Sequence, residues 1–388
     1  MPITPKGSSA GMPSTPSTHK TKTKVPTDPG WISSTLSMHG LKWGDNNALA
    51  RYPEFEKKVL GIAREERHSE MKPESAKHIQ QHSDILEDDN EATFLGTLLP
   101  LIIKTNRTVE LESHGPAEHL PETSGKGNTV EVLNPQPGAI YGCRNWVDDG
   151  VYAVFDHDFR EDLLPHRYVD EQLAQAMKKD DSMLTPRPDR CYGLLKDWIP
   201  VPDDIVLDPQ IRALITACPA LSHSFFLLEG KSNKGSKLDA MLQARRGGAS
   251  LVNGMRQLLA KIGEPHVTGS GVDDRNFVFS ATMSPGLIDL WVHWAELNNG
   301  TAIFHMNRIG SMALNDPEQI PRVRKILNNI LTWGWDLKAR RLNELHEKIY
   351  TWQRKEKARL EGEARQREVQ KELEKREKME SRKRQRSG

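Results

Sequence analysis

The most constraining feature of this sequence is a run of four large apolar residues at positions 225–228, which is followed at once by charged residues. An uninterrupted apolar run is typical of a strand that is covered on both faces of its sheet. The next residues are Glu229, Gly230 and Lys231. Because alternate residues of a strand lie on the same face, Glu229 and Lys231 are expected to project together from the end of this strand. Charges at the end of a buried strand are costly, so the pattern indicates a functional site, with a surface ion pair at a fraying strand end as the alternative.

A second carboxylate, Asp189, directly precedes another short segment with strand character at residues 191–195. If the two strands are neighbours, Asp189 and Glu229 converge at one edge of the sheet. Two carboxylates supply the oxygen ligands that Mg²⁺ prefers, with water completing the coordination shell. A metal there would lower the pKa of a bound water, and Lys231 could orient that water or stabilise developing charge. These three residues therefore predict metal-assisted hydrolysis of a phosphodiester.

The composition indicates a folded core diluted by polar segments, since 36% of the 388 residues are hydrophobic and 28% are charged. We predict a disordered low-complexity arm over residues 1–40, because Pro, Ser, Thr, Gly and Lys dominate its first part. Residues 41–137 are predicted to form a poorly defined, partly helical extension. Residues 138–352 are predicted to be the main domain, and residues 353–388 a charged, net basic helical tail.

Strand-like and helical segments follow one another within the main domain. Strands are predicted at residues 140–141, 151–155, 191–195, 225–228, 277–282, 287–294 and 302–306. Helices are predicted at residues 168–178, at residues 238–262 with an interruption at Gly247 and Gly248, and over residues 321–352. This order predicts an α/β or α+β fold in which helices flank a mixed sheet.

The overall charge and the cysteines limit the possible partners and compartments. A formal net charge of +1 indicates no particular partner. Three cysteines without a C-x-x-C pair favour a reducing, intracellular compartment. The N-terminus lacks an apolar signal core, and the apolar run at residues 94–103 is too short to span a bilayer. We therefore expect a soluble protein with no membrane partner.

The C-terminal segment is rich in charged helix formers, with 18 Lys or Arg and 10 Asp or Glu residues after residue 337. Its apolar positions are too sparse for sustained heptads, so a lone solvated helix with i,i+4 ion pairs is favoured over a coiled coil. The basic cluster at residues 382–386 predicts a nuclear-import signal or a phosphate-binding tail, with a plain solvated helix end as the alternative.

The pair Pro188 and Asp189, followed later by Glu229, Gly230 and Lys231, resembles the PD-(D/E)XK nuclease signature. Residues 189–194, 225–232, 279–282 and 305–308 more closely resemble a group of uncharacterised fungal proteins with a PD-(D/E)XK nuclease-like domain. The similarity extends over about residues 160–350. It implies a restriction-endonuclease-like core, with the two acids as metal ligands and the lysine as the catalytic lysine.

The resemblance also implies two further site residues. Gln243 matches a polar position on the helix after the strand, and Glu171, ahead of Asp170, is the candidate for an acidic metal ligand on the preceding helix. The implied cofactor is Mg²⁺, and the implied partner is DNA or RNA. The competing interpretation is a catalytically inactive nuclease-fold module that binds nucleic acid or protein. Gly230 departs from the pattern, because an apolar residue usually stands there.

Overall fold

The computed structural model describes most of the chain from residue 29 onward. The described residues are 29–42, 48–66, 71–86, 91–103, 131–133, 151–155, 158–165, 184–195, 201–217, 221–232, 235–264, 271–298 and 301–386. The first 28 residues of the predicted arm and the predicted helix at residues 168–178 lie outside them.

The helices in the described ranges are α1 (Pro29–Met38), α2 (Pro53–Arg64), α3 (Pro73–Ile85), α4 (Glu91–Ile102), α5 (Pro209–Ile215), α6 (Lys237–Lys261) and α7 (Ile320–Arg386). The strands are β1 (Glu131–Leu133), β2 (Val151–Phe155), β3 (Arg190–Leu195), β4 (Leu221–Gly230), β5 (Gly271–Ser284), β6 (Leu287–Asn298) and β7 (Thr301–Ala313). Six of the seven strands that the sequence predicts in the main domain therefore have counterparts, and the seventh, at residues 140–141, lies outside the described residues.

The seven strands form one sheet in chain order, from β1 to β7. Strands β4 and β5 are parallel, and every other neighbouring pair is antiparallel. Helix α6 provides the crossover that a parallel pair requires. The carboxyl ends of β4 and β5 consequently lie at the same edge as the beginning of β3. This architecture confirms the predicted α/β class with a mixed sheet flanked by helices.

Different helices cover the two faces of the sheet. On one face, α2, α3, α4 and α7 pack on the strands around a core that includes Phe226, Phe279 and Trp294. On the other face, α1 and α6 pack around a core that includes Leu227 and Val278. Because β4 is covered on both faces, all ten of its residues are buried. This is the environment that its apolar run predicts.

Helix α6 is a single helix of 25 residues, and the interruption predicted at Gly247 and Gly248 is wrong. A Cβ atom on Gly248 would lie 2.2 Å from the ring of His293, and one on Gly247 would lie 3.0 Å from Leu227. The two glycines thus allow the helix to lie close to the sheet. The packing that they permit outweighs a helix-propensity cost of about 1 kcal/mol for each glycine.

Helix α7 continues for 67 residues, so the predicted helical stretch and the predicted tail are one element. Near its beginning it packs closely on β4, where a Cβ atom on Gly334 would lie 2.0 Å from the ring of Phe225. Beyond Trp352 most of its side chains are exposed. Arg359 forms ion pairs within the helix with Glu356 and Glu363.

The N-terminal part of the described chain packs against the sheet. Helix α1 lies in the segment that is predicted to be a disordered arm, and its Leu36 is only 1% exposed, in the core on the α6 side of the sheet. The amide of Lys42 donates to the carbonyl of Phe304 over 2.9 Å, which joins this segment to β7. Residues 29–42 therefore differ from the predicted disordered arm, because their few apolar side chains find partners on the sheet.

Candidate active site

Glu229 lies at the carboxyl end of β4, on the face that α6 covers. Leu227, two residues earlier, belongs to the core under α6, whereas Phe226 and Leu228 belong to the core of the opposite face. Strand alternation therefore directs Glu229 towards α6. Its side chain is almost fully buried, with 1% of the residue exposed. A buried carboxylate is expensive unless cations or hydrogen bonds compensate it, so its surroundings determine what it can do.

Asp189 is brought next to Glu229 by the pairing of β3 with β4. Arg190 pairs with Leu228 in the antiparallel register, so the next position opposes Asp189 to Glu229 and puts both on the same face. The Oδ2 atom of Asp189 accepts a hydrogen bond of 2.6 Å from the amide of Gly230. Asp189 is half-buried and remains partly accessible to solvent. The predicted convergence of the two carboxylates at one sheet edge agrees with this geometry.

Lys231 extends the β4–β5 ladder by one residue, since its amide donates to the carbonyl of Met283 over 2.9 Å. The same alternation that directs Glu229 towards α6 therefore places Lys231 on that face. It lines a small pocket together with Lys237, Thr282 and Asp289. Its side chain is half-buried, so the pocket is reachable from solvent.

Gly230 faces the opposite core, and its lack of a side chain has a structural explanation. A Cβ atom at this position would lie 2.6 Å from Leu95 of α4. The guanidinium of Arg190 also donates to the backbone carbonyl of Leu95, over 3.3 Å. Helix α4 therefore fills the space where an apolar side chain would otherwise project. This departure from the nuclease-like pattern is compensated by packing from the N-terminal extension.

Gln243 lies one helical turn before Gly247, which packs on Leu227. Because α6 runs back along β4, this turn lies towards Glu229. The Oε1 atom of Gln243 is buried and accepts no hydrogen bond from the described residues. An amide oxygen in this state is available to a ligand or to water. The site role that the resemblance implies for Gln243 stays a prediction.

Arg246 is a buried cation beside Glu229 that the sequence analysis did not identify. Burial lowers the pKa of the Arg246 guanidinium, and the negative charge of Glu229 partly offsets that effect. The neighbouring Arg245 is only 2% exposed, and burial lowers its pKa to about 9. Two adjacent arginines interrupt the apolar pattern of a buried helix, as Glu229 interrupts that of a buried strand. This pattern in the sequence could have identified Arg245 and Arg246 as candidate site residues.

Asp289 on β6 is a third carboxylate in the same row of the sheet, and it is buried as Glu229 is. Glu229 pairs with Thr282 of β5, and Thr282 pairs with Asp289. Asp289 is 1% exposed, and its Oδ2 atom lies 2.7 Å from Nζ of Lys237, the first residue of α6. The guanidinium of Arg308 lies 3.9 Å from its Oδ1 atom. The sequence feature that could have identified Asp289 is its position as an acid within an otherwise apolar strand at residues 287–291.

The donor set for a metal consists of the carboxylates of Asp189 and Glu229. Among the described residues, no group of three or more His, Cys, Asp and Glu side chains is arranged to hold a metal ion. Glu171, the predicted third acidic ligand, and Asp170 lie outside the described residues. Mg²⁺ is commonly held by one or two carboxylates, with waters and substrate phosphates as its other ligands. A two-carboxylate edge fits that mode of binding.

The fold and the site together define an α/β protein with a mixed sheet, which carries acidic and basic side chains at the carboxyl ends of β4 and β5. The chain belongs to the family described as Domain of unknown function (DUF7924), whose model matches residues 78–346. A search of curated proteins finds no match. No helix in the described part of the chain has the length and apolar character needed to cross a membrane.

Proposed function

We propose that this protein is a metal-dependent nuclease with a PD-(D/E)XK-like core, acting on DNA or RNA. The observation that carries the proposal is the pairing of Asp189 with Glu229 on neighbouring strands, with Lys231 following on the same face. Two acids and a lysine from neighbouring strands, of which Asp189 and Lys231 are partly exposed, are the groups that metal-dependent phosphodiester hydrolysis requires.

In this proposal Asp189 and Glu229 hold Mg²⁺, which when bound would polarise a phosphate oxygen and lower the pKa of a water. Lys231 stabilises the charge that develops on the phosphate, because an ammonium in a partly buried pocket interacts more strongly than one in bulk water. Lys237 of α6 lines the same pocket, and Arg308 of β7 lies 3.9 Å from Asp289, which also lines it. Both cations would neutralise an approaching phosphate backbone. Gln243 orients water or substrate through its buried amide oxygen.

A catalytically inactive module that binds nucleic acid or protein is the second candidate, and one observation favours it. The Arg246 guanidinium lies close enough to Glu229 for their charges to interact. A resident arginine can supply the positive charge that a metal would otherwise bring. The protein would then keep the nuclease-like fold and the basic residues Lys237 and Arg308 without binding Mg²⁺.

The test is cleavage of labelled DNA and RNA by the purified protein in Mg²⁺ and in chelator. We expect cleavage only with Mg²⁺, and a loss of at least roughly a hundredfold in Glu229→Gln and Lys231→Met. The matched control is Asp84→Asn, which removes an exposed carboxylate on α3 and should leave the rate unchanged. Circular dichroism and thermal melting of each variant separate loss of the site from loss of the fold.

Three results would contradict the nuclease proposal. Cleavage that persists in both variants would remove Glu229 and Lys231 from the chemistry. Absence of cleavage, together with salt-sensitive binding to nucleic acid, would support the inactive module instead. Absence of both cleavage and nucleic-acid binding would overturn the nuclease and the nucleic-acid-binding module, and would leave protein binding as the function of the inactive module.

The exposed end of α7 is a second basic surface that either candidate can use. Arg382, Lys383 and Arg384 are exposed near its C-terminus, and we propose that this cluster contacts phosphates and serves as a nuclear-import signal. Deleting residues 353–388 should weaken nucleic-acid binding and flatten its salt dependence. Unchanged affinity and salt dependence would exclude the tail from binding.

A further inference from the structure

A pair of histidines on α3 forms a second candidate binding site, which is remote in sequence from Asp189 and Glu229. His78 and His82 are four residues apart, which puts them one turn apart on the same face of the helix. Their Nε2 atoms lie 3.1 Å apart, and their ring centroids lie 4.3 Å apart. His78 is exposed and His82 is half-buried, so both nitrogens face a solvent-accessible surface.

We propose that His78 and His82 form a chelating site for a divalent transition-metal ion. Imidazole nitrogens bind zinc at about 2.0–2.1 Å, so two nitrogens 3.1 Å apart subtend an angle of roughly 100° at a shared ion. This angle lies between the square-planar and tetrahedral values of about 90° and 109°, which copper, nickel and zinc adopt. The separation of the two nitrogens therefore suits a shared ion.

The metal-free pair has its own stabilising contact. At 3.1 Å, one Nε2 can donate a proton to the other in an ordinary hydrogen bond. That bond holds the two rings together, so less side-chain freedom is lost when an ion binds. The donor ring then carries its proton on Nδ1, which leaves both Nε2 lone pairs for the metal. The preorganisation makes the pair a better chelator than two independently mobile imidazoles.

The chemistry of the pair selects the class of ion. Imidazole favours copper, nickel and zinc over hard cations such as Mg²⁺, which prefer oxygen ligands. Within the described residues no third His, Cys, Asp or Glu joins the pair, so water or a ligand from outside would complete the coordination. The expected affinity order is Cu²⁺, then Ni²⁺, then Zn²⁺. The site therefore differs in its ion from the Mg²⁺ proposed at Asp189 and Glu229.

The experiment is isothermal titration of the metal-free full-length protein with Ni²⁺, Cu²⁺ and Zn²⁺, in the presence of excess Mg²⁺. We expect one site per chain whose affinity falls by at least roughly tenfold in His78→Ala and in His82→Ala. The matched control exchanges neighbours, with Lys77→His and His78→Lys in one chain. It keeps the composition but separates the histidines by about 140° around the helix, which should abolish the chelate.

A second readout reports directly on α3. Bound Ni²⁺ should raise the melting temperature of the wild type but not that of the exchanged variant, because the chelate bridges one turn of a helix that packs against α4 and α7. The chain contains 14 histidines, so non-specific binding is the rival explanation. Equal affinity and stoichiometry in the wild type and the exchanged variant would overturn the proposal.

Discussion

Replacing His346 with glutamine should make the fold less sensitive to acid. His346 lies on α7, and its Nε2 atom is 2.9 Å from Nε2 of His223 on β4. Its Nδ1 atom lies 3.2 Å from the hydroxyl of Tyr350. His346 is 4% exposed, and burial lowers its pKa to about 4. The folded protein therefore keeps this imidazole neutral at a pH at which the unfolded chain would protonate it.

The size of the effect follows from the difference between the folded and unfolded pKa values. An unperturbed histidine has a pKa of about 6.5, so the shift corresponds to about 3 kcal/mol when fully expressed. Because the folded value is depressed for a base, this stability is present above pH 6.5 and is lost as the pH falls towards 4. Between pH 7 and pH 5 the loss amounts to about 2 kcal/mol. His293 and His305, with pKa values lowered to about 3 and about 4, act in the same direction.

The assay is urea denaturation at several pH values between 7 and 5. We expect the free energy of unfolding of His346→Gln to fall by about 2 kcal/mol less than that of the wild type over this range. Tyr350→Phe removes a hydrogen bond but no imidazole, so it should cost about 1 kcal/mol at every pH and leave the slope unchanged. Parallel curves for the wild type and His346→Gln would refute this account of the buried pair.

Two further predictions concern stability alone. Gly248→Ala should destabilise the protein by about 1–3 kcal/mol, because the new methyl group would overlap the His293 ring. The same substitution at Gly61 in α2, where nothing lies within 4 Å, should stabilise it by about 0.5–1 kcal/mol; melting temperatures that shift in the same direction would contradict this contrast. Asp208→Ala should cost about 1 kcal/mol, because Asp208 caps α5 by accepting from the amides of residues 210 and 211. Asp208→Asn should retain most of that stability, and equal losses in the two Asp208 variants would exclude the cap.

Local patterns predicted the strands of the main domain that the structure describes, but they missed helix α5. The apolar run at residues 225–228 predicted a strand that is buried on both faces, and β4 has that environment. The same apolar run ending in Glu229 and Lys231 also located the candidate site. The contact of Asp189 with the end of β4 joins positions 41 residues apart. The sequence could predict it only on the assumption that the two strands are neighbours.

Packing between distant segments determined the continuity of α6 and the full set of site residues, which local sequence patterns did not predict. Gly247 and Gly248 predict a helix break by propensity, yet the close approach of α6 to His293 requires glycine there. Arg246 and Asp289 joined the site only through the folding of α6 and β6 against β4 and β5.

The sequence by itself determined which segments are strands or helices and where charge interrupts an apolar strand, because neighbouring residues carry that information. Only the tertiary structure decided which acids, arginines and lysines share one edge of the sheet. Their proximity arises from strand register and helix packing, which depend on contacts across the whole domain.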